Sequence, residues 1–384
     1  MRSHPPASRW WDLLLLAPLG TVVVSLGGLE PAFAAGSAAS VAWSGWLFVA
    51  ILIGAFRAIS HADVIAERLG EPLGTIVLTL AAITIEVAAV CSVMLQADPA
   101  EGATVVRDSM FAVLMLTLNG LIGLALVIGG IRRREQQFNL QSTSSYLSLI
   151  TVLAMITLWL PRASSSEEGG WMSDPMEIFV GGSSLLIYLV FLWLQTTYHR
   201  EFFTAPTADA GSLHADVTPV ASAARRSLAV PVTLLIVSLL LVIALAKTLG
   251  GKIGDTLDVL HLPPAIGGVL VAALVLAPEG LAALRAAGRD DMQRTVNVLL
   301  GSALATIGLT VPAVMVLRFL TGIEPEMGLE PPYLVLLIAT LIVSTINLAR
   351  GRVNFLQGMV HLILFLAWIM VILDEASGPP AVAP

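Results

Sequence analysis

Two apolar stretches of equal length, each ending in a glutamate, decide how this chain is interpreted. They are GTIVLTLAAITIE at residues 74–86 and GGVLVAALVLAPE at residues 267–279, which end at Glu86 and Glu279. Both carboxylates fall near the middle of a long apolar segment. A carboxylate at that depth in a bilayer is costly and usually marks a functional site. The two glutamates are therefore the leading candidates for a site.

The composition of the whole chain is that of an integral membrane protein. Of its 384 residues, 57% are hydrophobic and 12% are charged, and the mean hydropathy is +0.87. Soluble domains are about half apolar and about a quarter charged. Eleven apolar runs have lengths close to the ~20 residues that cross a bilayer as a helix. They cover residues 12–29, 41–59, 72–95, 108–131, 145–161, 177–198, 228–249, 262–285, 294–320, 332–349 and 353–373. The sequence thus predicts an all-α fold with about eleven transmembrane helices.

The basic residues are distributed unevenly between the two ends of these spans. If the N-terminus is cytoplasmic, the cytoplasmic ends carry fifteen of the twenty Lys and Arg residues, and the opposite ends carry five. Because Lys and Arg are enriched on the cytoplasmic side of membrane spans, this bias predicts a cytoplasmic N-terminus and an external C-terminus.

Residues 1–35 allow two interpretations. A basic start, an apolar stretch at 13–28 and Ala32-Phe33-Ala34 together resemble a cleavable signal peptide. The break before the next span is short, however, and we favour a retained leading helix. Either interpretation leaves the orientation of the next ten helices unchanged.

Several other classes of site have no support in the sequence. The single cysteine, Cys91, excludes an intrachain disulfide, and packing is its simplest role. The net charge is −7 and no large basic cluster is present, so nucleic acid is not an expected partner. No nucleotide-binding glycine pattern follows a strand and no His/Cys cluster has zinc-ligand spacing, so no cofactor is expected.

The ten helices after the first divide into two halves at a polar linker. We predict a five-helix repeat at 36–198, the linker at 199–227 and a second repeat at 228–384. An odd number of spans in each half gives the second half the opposite orientation, which is the inverted-repeat arrangement of many secondary transporters. Glu86 and Glu279 each lie on the second helix of a half.

The helix that follows each glutamate helix contains a polar side chain among small residues. Asn119 lies eleven residues after Asp108, and Ser302 lies eleven residues after Asp291. Small-residue stretches suit close helix crossing, so a packing seam and a site lining are both open interpretations. Thr306, four residues after Ser302, places a second hydroxyl on the same helix face, where it could line a polar path or bond to the backbone.

Pro278 and Thr84 precede the two glutamates closely. A proline displaces the carbonyl of the residue four positions earlier, here Leu274, and frees that oxygen to face a cavity. Hard cations prefer oxygen ligands, so a free carbonyl beside a carboxylate suits them. For Thr84 we favour a hydroxyl that bonds back to its own helix.

Two buried carboxylates should hold either protons or a metal cation, and this competition is sufficient for proton-coupled exchange.

Two histidines and one aspartate are candidates for a proton path or for regulation. His361, in the last span, could relay protons or bond to a neighbouring helix, and we favour the second role. His61 and Asp63 could be proton-entry or regulatory groups, although a helix-terminal cap is the more ordinary interpretation.

Motifs along most of the chain resemble the bacterial ChaA-type cation/proton antiporters of the calcium/cation antiporter superfamily. They are HADV at 61–64, RLGEP at 68–72, IEV at 85–87, RD at 107–108, GG at 129–130, PEGL at 278–281, GSALATI at 301–307, LTVP at 309–312, and GR at 351–352 with Asn354. The resemblance implies one leading helix followed by two inverted five-helix repeats in a bacterial inner membrane. It also implies exchange of cytoplasmic calcium, sodium or potassium for protons, with the two repeat glutamates as the central cation- and proton-binding groups.

One feature of the calcium-selective relatives is absent. Those relatives usually carry Gly-Asn three to four residues before each glutamate, whereas this chain has Ala82-Ile83 and Val275-Leu276. The leading hypothesis is therefore a cation/proton antiporter that also accepts monovalent ions. An intramembrane enzyme using the two carboxylates as acid and base is the alternative, and a structural membrane protein is a third hypothesis.

Overall fold

The computed structural model describes residues 9–26, 37–70, 73–95, 99–164, 170–198, 228–263 and 265–377. Within these ranges the chain forms a leading helix and two sets of five helices. The leading helix, α1, comprises Arg9–Asp12, a 3₁₀ turn at Leu13–Leu15 and Leu16–Leu26. The proposed linker at 199–227 and the signal-like Ala32-Phe33-Ala34 lie outside the described residues.

The first five-helix set contains three helices that include π-helical turns. Its members are α2 (Ala38–Leu69), α3 (Leu73–Met94), α4 (Pro99–Leu114, π-helical Met115–Leu121 and Ile122–Arg132), α5 (Leu140–Ala154, π-helical Met155–Trp159 and Leu160–Ala163) and α6 (Asp174–Trp193 with π-helical Leu194–Tyr198). The second set is α-helical throughout: α7 (Ala229–Val259), α8 (Ala265–Gly288), α9 (Met292–Thr321), α10 (Pro331–Leu348) and α11 (Phe355–Ser377). Two short strands, β1 (Gln136–Gln137) and β2 (Arg352–Val353), pair antiparallel and join the two sets.

The predicted all-α membrane fold is confirmed. Nine helices of the described residues are long and apolar enough to cross a membrane, and two shorter apolar helices lie at Leu13–Ser25 and Ile76–Ser92. These eleven correspond one to one with the predicted spans.

The ends predicted for α2 and α7 are wrong. We predicted residues 59 and 249, and the helices continue to Leu69 and Val259. Residues 60–69 contain no glycine or proline, and α2 ends at Gly70, whose φ of 65° suits a residue without a Cβ. In both helices the final turns carry charged side chains, so the apolar run ends before the helix does. These side chains leave the backbone hydrogen bonds of the helix intact.

The helices of the two halves pack in reciprocal pairs. The first helices of the halves, α2 and α7, pack along each other. The third helix of each half packs against the second helix of the other, since α9 contacts α3 and α4 contacts α8. The same reciprocity relates the α6–α9 contact to the α11–α4 contact. Two inverted five-helix repeats produce this arrangement.

Buried side chains form two clusters, and each cluster contains helices from both halves. One is built from α2, α3, α7 and α8, and the other is built mainly from α4, α5, α6, α9, α10 and α11. The glutamate helices contribute to both clusters: Ile85 and Leu274 belong to the first, and Val90 and Leu276 to the second. The helices that carry Glu86 and Glu279 therefore lie at the boundary between the two clusters.

A close contact between α11 and α4 gives a test of this packing. A Cβ added at Gly358 would lie 2.8 Å from the Gly123 carbonyl oxygen and from the Val127 amide nitrogen. Backbone atoms inside a helix cannot move aside, so Gly358→Ala should destabilise the protein by about 1–3 kcal/mol. The measurement is the unfolding midpoint of the detergent-solubilised protein. Gly182→Ala is the matched control, because a Cβ there would meet nothing within 4 Å. Equal midpoints for the two variants would contradict the packing.

Candidate functional site

Glu86 lies in the interior of α3 and accepts hydrogen bonds from the other half of the chain. Glu86 is 4% exposed. The Thr306 hydroxyl donates to Glu86 Oε2 at 2.8 Å, and the Thr310 hydroxyl donates to Oε1 at 3.3 Å. Both threonines belong to α9. A helix of the second half thus supplies the donors for a carboxylate of the first half.

Glu279, on α8, receives its donor from the same helix. It is half-buried, and the Ser302 hydroxyl donates to its Oε2. Ser302, Thr306 and Thr310 are spaced by four residues on one face of α9, and we call them the hydroxyl row. Four residues of α-helix rise by about 6 Å. The two carboxylates therefore approach one side of α9 at positions about one turn apart.

The chemistry of this arrangement is that of an oxygen-rich site. A hydroxyl that donates its hydrogen to a carboxylate keeps lone pairs that can face a cation. No group of three or more His, Cys, Asp or Glu side chains suited to a metal occurs among the described residues. Any cation at this position would thus be held by two carboxylates together with hydroxyl oxygens, which suits hard cations. The sequence pointed to Ser302 and Thr306, and it also predicted that Thr310 extends their four-residue spacing.

The residues predicted beside the glutamates on their own helices have separate environments. The Thr84 hydroxyl donates to the Leu80 carbonyl oxygen at 2.6 Å, so it bonds back to α3 as favoured from the sequence. Pro278 lies inside the continuous helix α8, and it has no N–H to offer the Leu274 carbonyl. The Leu274 side chain is 2% exposed and packs in the cluster of α2, α3, α7 and α8.

Asn119 forms hydrogen bonds with groups other than the two glutamates. Its Nδ2 donates to the Thr340 hydroxyl at 2.7 Å, and its Oδ1 lies 3.2 Å from His361 Nδ1. All three residues are fully buried. The expected lining role of Asn119 is therefore not reflected in its hydrogen bonds within the described residues, which tie α4 to α10 and α11. His361 bonds to a neighbouring helix, as favoured from the sequence.

The π-helical turn at Met115–Leu121 explains why the sequence could not place Asn119. A π-helix has more residues per turn than an α-helix, so it rotates each later side chain away from its α-helical direction. The spacing of eleven residues from Asp108 assumed an uninterrupted α-helix.

The cap interpretation of His61 and Asp63 is wrong. Both residues lie inside α2, because that helix continues to Leu69. His61 is 4% exposed, and its Nε2 lies 3.4 Å from Arg57 Nη2 and 3.5 Å from Asp12 Oδ1. Arg57 and Asp12 also form an ion pair that joins α2 to α1. Asp63 is exposed on the same helix.

The two five-helix sets match a known family along most of the chain. The pattern of the family described as Sodium/calcium exchanger protein matches residues 39–197 and 230–373. This chain belongs to the sodium/calcium exchanger protein family. The two matched segments of the exchanger coincide with its two five-helix sets.

Individual relatives support the assignment of this chain to the family. The sodium-potassium/proton antiporter ChaA of Escherichia coli (strain K12) is 37% identical over 324 residues, which cover 84% of this chain and 87% of ChaA. The protein y4hA of Sinorhizobium fredii (strain NBRC 101917 / NGR234) is 39% identical over 323 residues, covering 84% of this chain and 86% of y4hA. The structure of native YfkE superposes with a TM-score of 0.71 at 14% identity, covering 94% of this chain and 99% of YfkE, and shows the same fold.

These similarities confirm the resemblance seen in the sequence motifs. The exchanger is a multi-pass membrane protein of a bacterial antiporter family, and its activity is of the cation/proton antiporter type. It is a transporter, so the alternative of an intramembrane enzyme is wrong.

Proposed function

We propose that this exchanger carries Na⁺ or K⁺, and Ca²⁺ less readily, in exchange for protons, and that Glu86 and Glu279 bind cation and proton in competition. The observation that carries the proposal is the convergence of both carboxylates on the hydroxyl row of α9. Two acidic groups from inverted halves thereby share one set of hydroxyl oxygens.

The charge of this site supports a strict exchange. Two ionised carboxylates carry two negative charges, and leaving a buried charge without a partner costs several kcal/mol. Two protons, two monovalent cations or one divalent cation would each neutralise the pair. The protein should therefore change between its two access states only when protons or cations neutralise both carboxylates. This requirement couples cation transport to proton transport.

The packing supports an alternating-access mechanism. Because α3 and α8 lie at the boundary of the two clusters, a shift of one cluster against the other would change which side of the glutamates is open. In this proposal the N-terminus is cytoplasmic and the C-terminus is external, as the distribution of Lys and Arg predicts. The protein lies in the bacterial inner membrane, as the family resemblance implies.

Two observations support a preference for monovalent cations. Ala82-Ile83 and Val275-Leu276 stand three to four residues before the glutamates, and their side chains offer no oxygen. This limits the oxygens available to Ca²⁺, which takes about six to eight ligands. The relative ChaA, at 37% identity, is named a sodium-potassium/proton antiporter.

Separate additions of Na⁺, K⁺ and Ca²⁺ to everted membrane vesicles test the exchange and its selectivity. The vesicles are acidified inside by respiration, and an acridine dye reports the proton gradient by quenching. We expect Na⁺ and K⁺ to restore the fluorescence at lower concentrations than Ca²⁺ does, in vesicles with the exchanger and not in vesicles without it. A response to Ca²⁺ alone would overturn the monovalent preference. The absence of a response to all three cations would overturn the exchange itself.

A further inference from the structure

An acidic cavity lies at one end of α4, α8, α10 and α11. Its volume is about 130 Å³, and its lining includes Asp108, Glu330, Tyr333 and Glu375. A water molecule takes about 30 Å³ in the liquid, so the cavity is large enough for about four waters. It therefore has room for a small hydrated cation.

The charges around this cavity are predominantly negative. Arg107 also lines it, but the guanidinium pairs with Asp108 at 2.9 Å and with Glu326 at 2.7 Å. Among the described residues, neither Glu330 nor Glu375 forms an ion pair, and Glu375 accepts a hydrogen bond from the Tyr333 hydroxyl. Three carboxylates and one basic group line the cavity, so its net charge is negative.

Two buried hydroxyls of α4 have no hydrogen-bond partner within the described residues. They belong to Ser109, which is 2% exposed, and to Thr117, which is 0% exposed. The buried hydroxyls of Thr157 and Ser184 bond to the carbonyl four residues earlier at 2.7 Å, whereas that of Ser344 on α10 is also unpaired in the described part of the chain. A buried polar group without a partner costs about 1–3 kcal/mol. Buried hydroxyls in native interiors are usually paired, often with an ordered water. The two α4 hydroxyls are therefore candidates for hydration.

These hydroxyls lie along the contact between α4 and α8. At one end, a Cβ added at Gly268 would lie 3.6 Å from the Asp108 carbonyl oxygen. At the other end, a Cβ added at Gly280 would lie 3.0 Å from Leu121 Cδ1. From the first contact to the second, the residue numbers rise on both helices, so the two helices run parallel there. We call residues 108–121 and 268–280 the α4–α8 seam. It begins at the acidic cavity and ends beside Glu279.

Helix geometry places the Thr117 hydroxyl on the side of α4 that contacts α8. Thr117 precedes Leu121 by four residues within the π-helical turn, and a π-helix repeats after slightly more than four residues. Ser109 directly follows Asp108, at the end of α4 that contacts Gly268. Thr117 and Leu121 therefore share the side of α4 that contacts α8, with Thr117 one turn from the level of Gly280, and Ser109 lies at the cavity end of that contact.

We propose that the α4–α8 seam is a hydrated path along which a small inorganic cation passes between the acidic cavity and Glu279. The cavity carboxylates attract the hydrated cation, and the Ser109 and Thr117 hydroxyls supply oxygens along the helix contact. The path rests on the proposed function, because it leads to the carboxylate that binds the cation there. In the predicted orientation the cavity opens to the external side.

Cysteine labelling tests the hydration of the seam without requiring transport. Cys91→Ala removes the one native thiol, and Ser109→Cys, Thr117→Cys and Leu118→Cys are then made singly. Leu118 is the matched control, because it neighbours Thr117 and is also 0% exposed. The probe is the membrane-impermeant, positively charged trimethylammonium-ethyl methanethiosulfonate. Thr117→Cys should react about 10-fold faster than Leu118→Cys, as an accessible thiol does relative to a buried one.

The side of access is defined by an internal reference. Glu330→Cys, at the cavity, marks the side from which the seam should be reached, whatever the absolute orientation of the protein. Labelling of Thr117→Cys from that side is the expected result. Reactivity equal to that of Leu118→Cys, or labelling only from the opposite side, would overturn the path.

Transport measurements provide a second criterion. Thr117→Val keeps the side-chain volume and removes the hydroxyl, and it should lower kcat/KM for the cation. Glu330→Gln with Glu375→Gln should lower kcat/KM by roughly 10-fold at low ionic strength and much less at high salt, because steering by surface charge is screened. Salt-independent, wild-type kinetics in these variants would contradict the path. If Glu279→Gln kept full exchange while Thr117→Cys was labelled, the central site would fail and the hydrated seam would stand.

Discussion

Glu86→Gln and Glu279→Gln should each abolish proton-coupled cation exchange. Glutamine keeps the size of the side chain and an oxygen that can accept from Thr306 or Ser302, but it neither ionises nor takes up a transported proton. Removing one charge from a buried set of compensating charges costs about 3–5 kcal/mol, which corresponds to a loss of roughly 100-fold or more. The measurement is cation-driven fluorescence recovery in everted vesicles at matched protein levels.

Glu135→Gln is the matched control for this prediction. It is the same chemical change at a side chain that is 59% exposed and only weakly paired with Arg352 at 4.0 Å, so exchange should remain at the wild-type level. Glu86→Asp and Glu279→Asp should retain partial activity, since the charge is kept and only its reach is shortened. Full exchange by either glutamine variant would remove that glutamate from the mechanism.

Arg318→Gln should produce the largest loss of stability among single changes outside the glutamate site. Arg318, near the end of α9, pairs with Glu177, with Asp174 at 3.0 Å and with Glu324 at 3.1 Å. The Glu177 side chain is only 3% exposed. Removing the guanidinium leaves that carboxylate buried without a counter-ion, which should cost about 3–5 kcal/mol of unfolding free energy. The midpoint of unfolding in detergent should fall accordingly.

Two further variants separate the lost ion pair from a general disturbance of α9. Glu324→Gln removes an exposed partner of the same arginine, so its effect should be within about 1 kcal/mol. Adding Glu177→Gln to Arg318→Gln should recover part of the stability, because the uncompensated charge is then absent. A double variant less stable than Arg318→Gln alone would show that the ion pair is not the cause.

The contrast between Thr310 and Asn119 shows how far the site could be predicted from the sequence. Both are polar residues on the third helix of a half. Thr310 contacts Glu86 and Asn119 bonds to Thr340 and His361, because α9 is a continuous α-helix whereas α4 contains a π-helical turn. Residue spacing predicts which side chains share a face of a regular helix. It does not predict where an irregular turn rotates that face.

The sequence by itself determined the eleven membrane helices and the inverted halves, and it singled out the two glutamates. These properties depend on the length of each apolar run and on the cost of placing a carboxylate at bilayer depth, and both can be evaluated along the chain. Only the tertiary structure decided that α9 serves both carboxylates and that unpaired hydroxyls lie between an acidic cavity and Glu279. Thr306 and Glu86 are 220 residues apart in the chain, and their hydrogen bond exists because the third helix of one half packs against the second helix of the other.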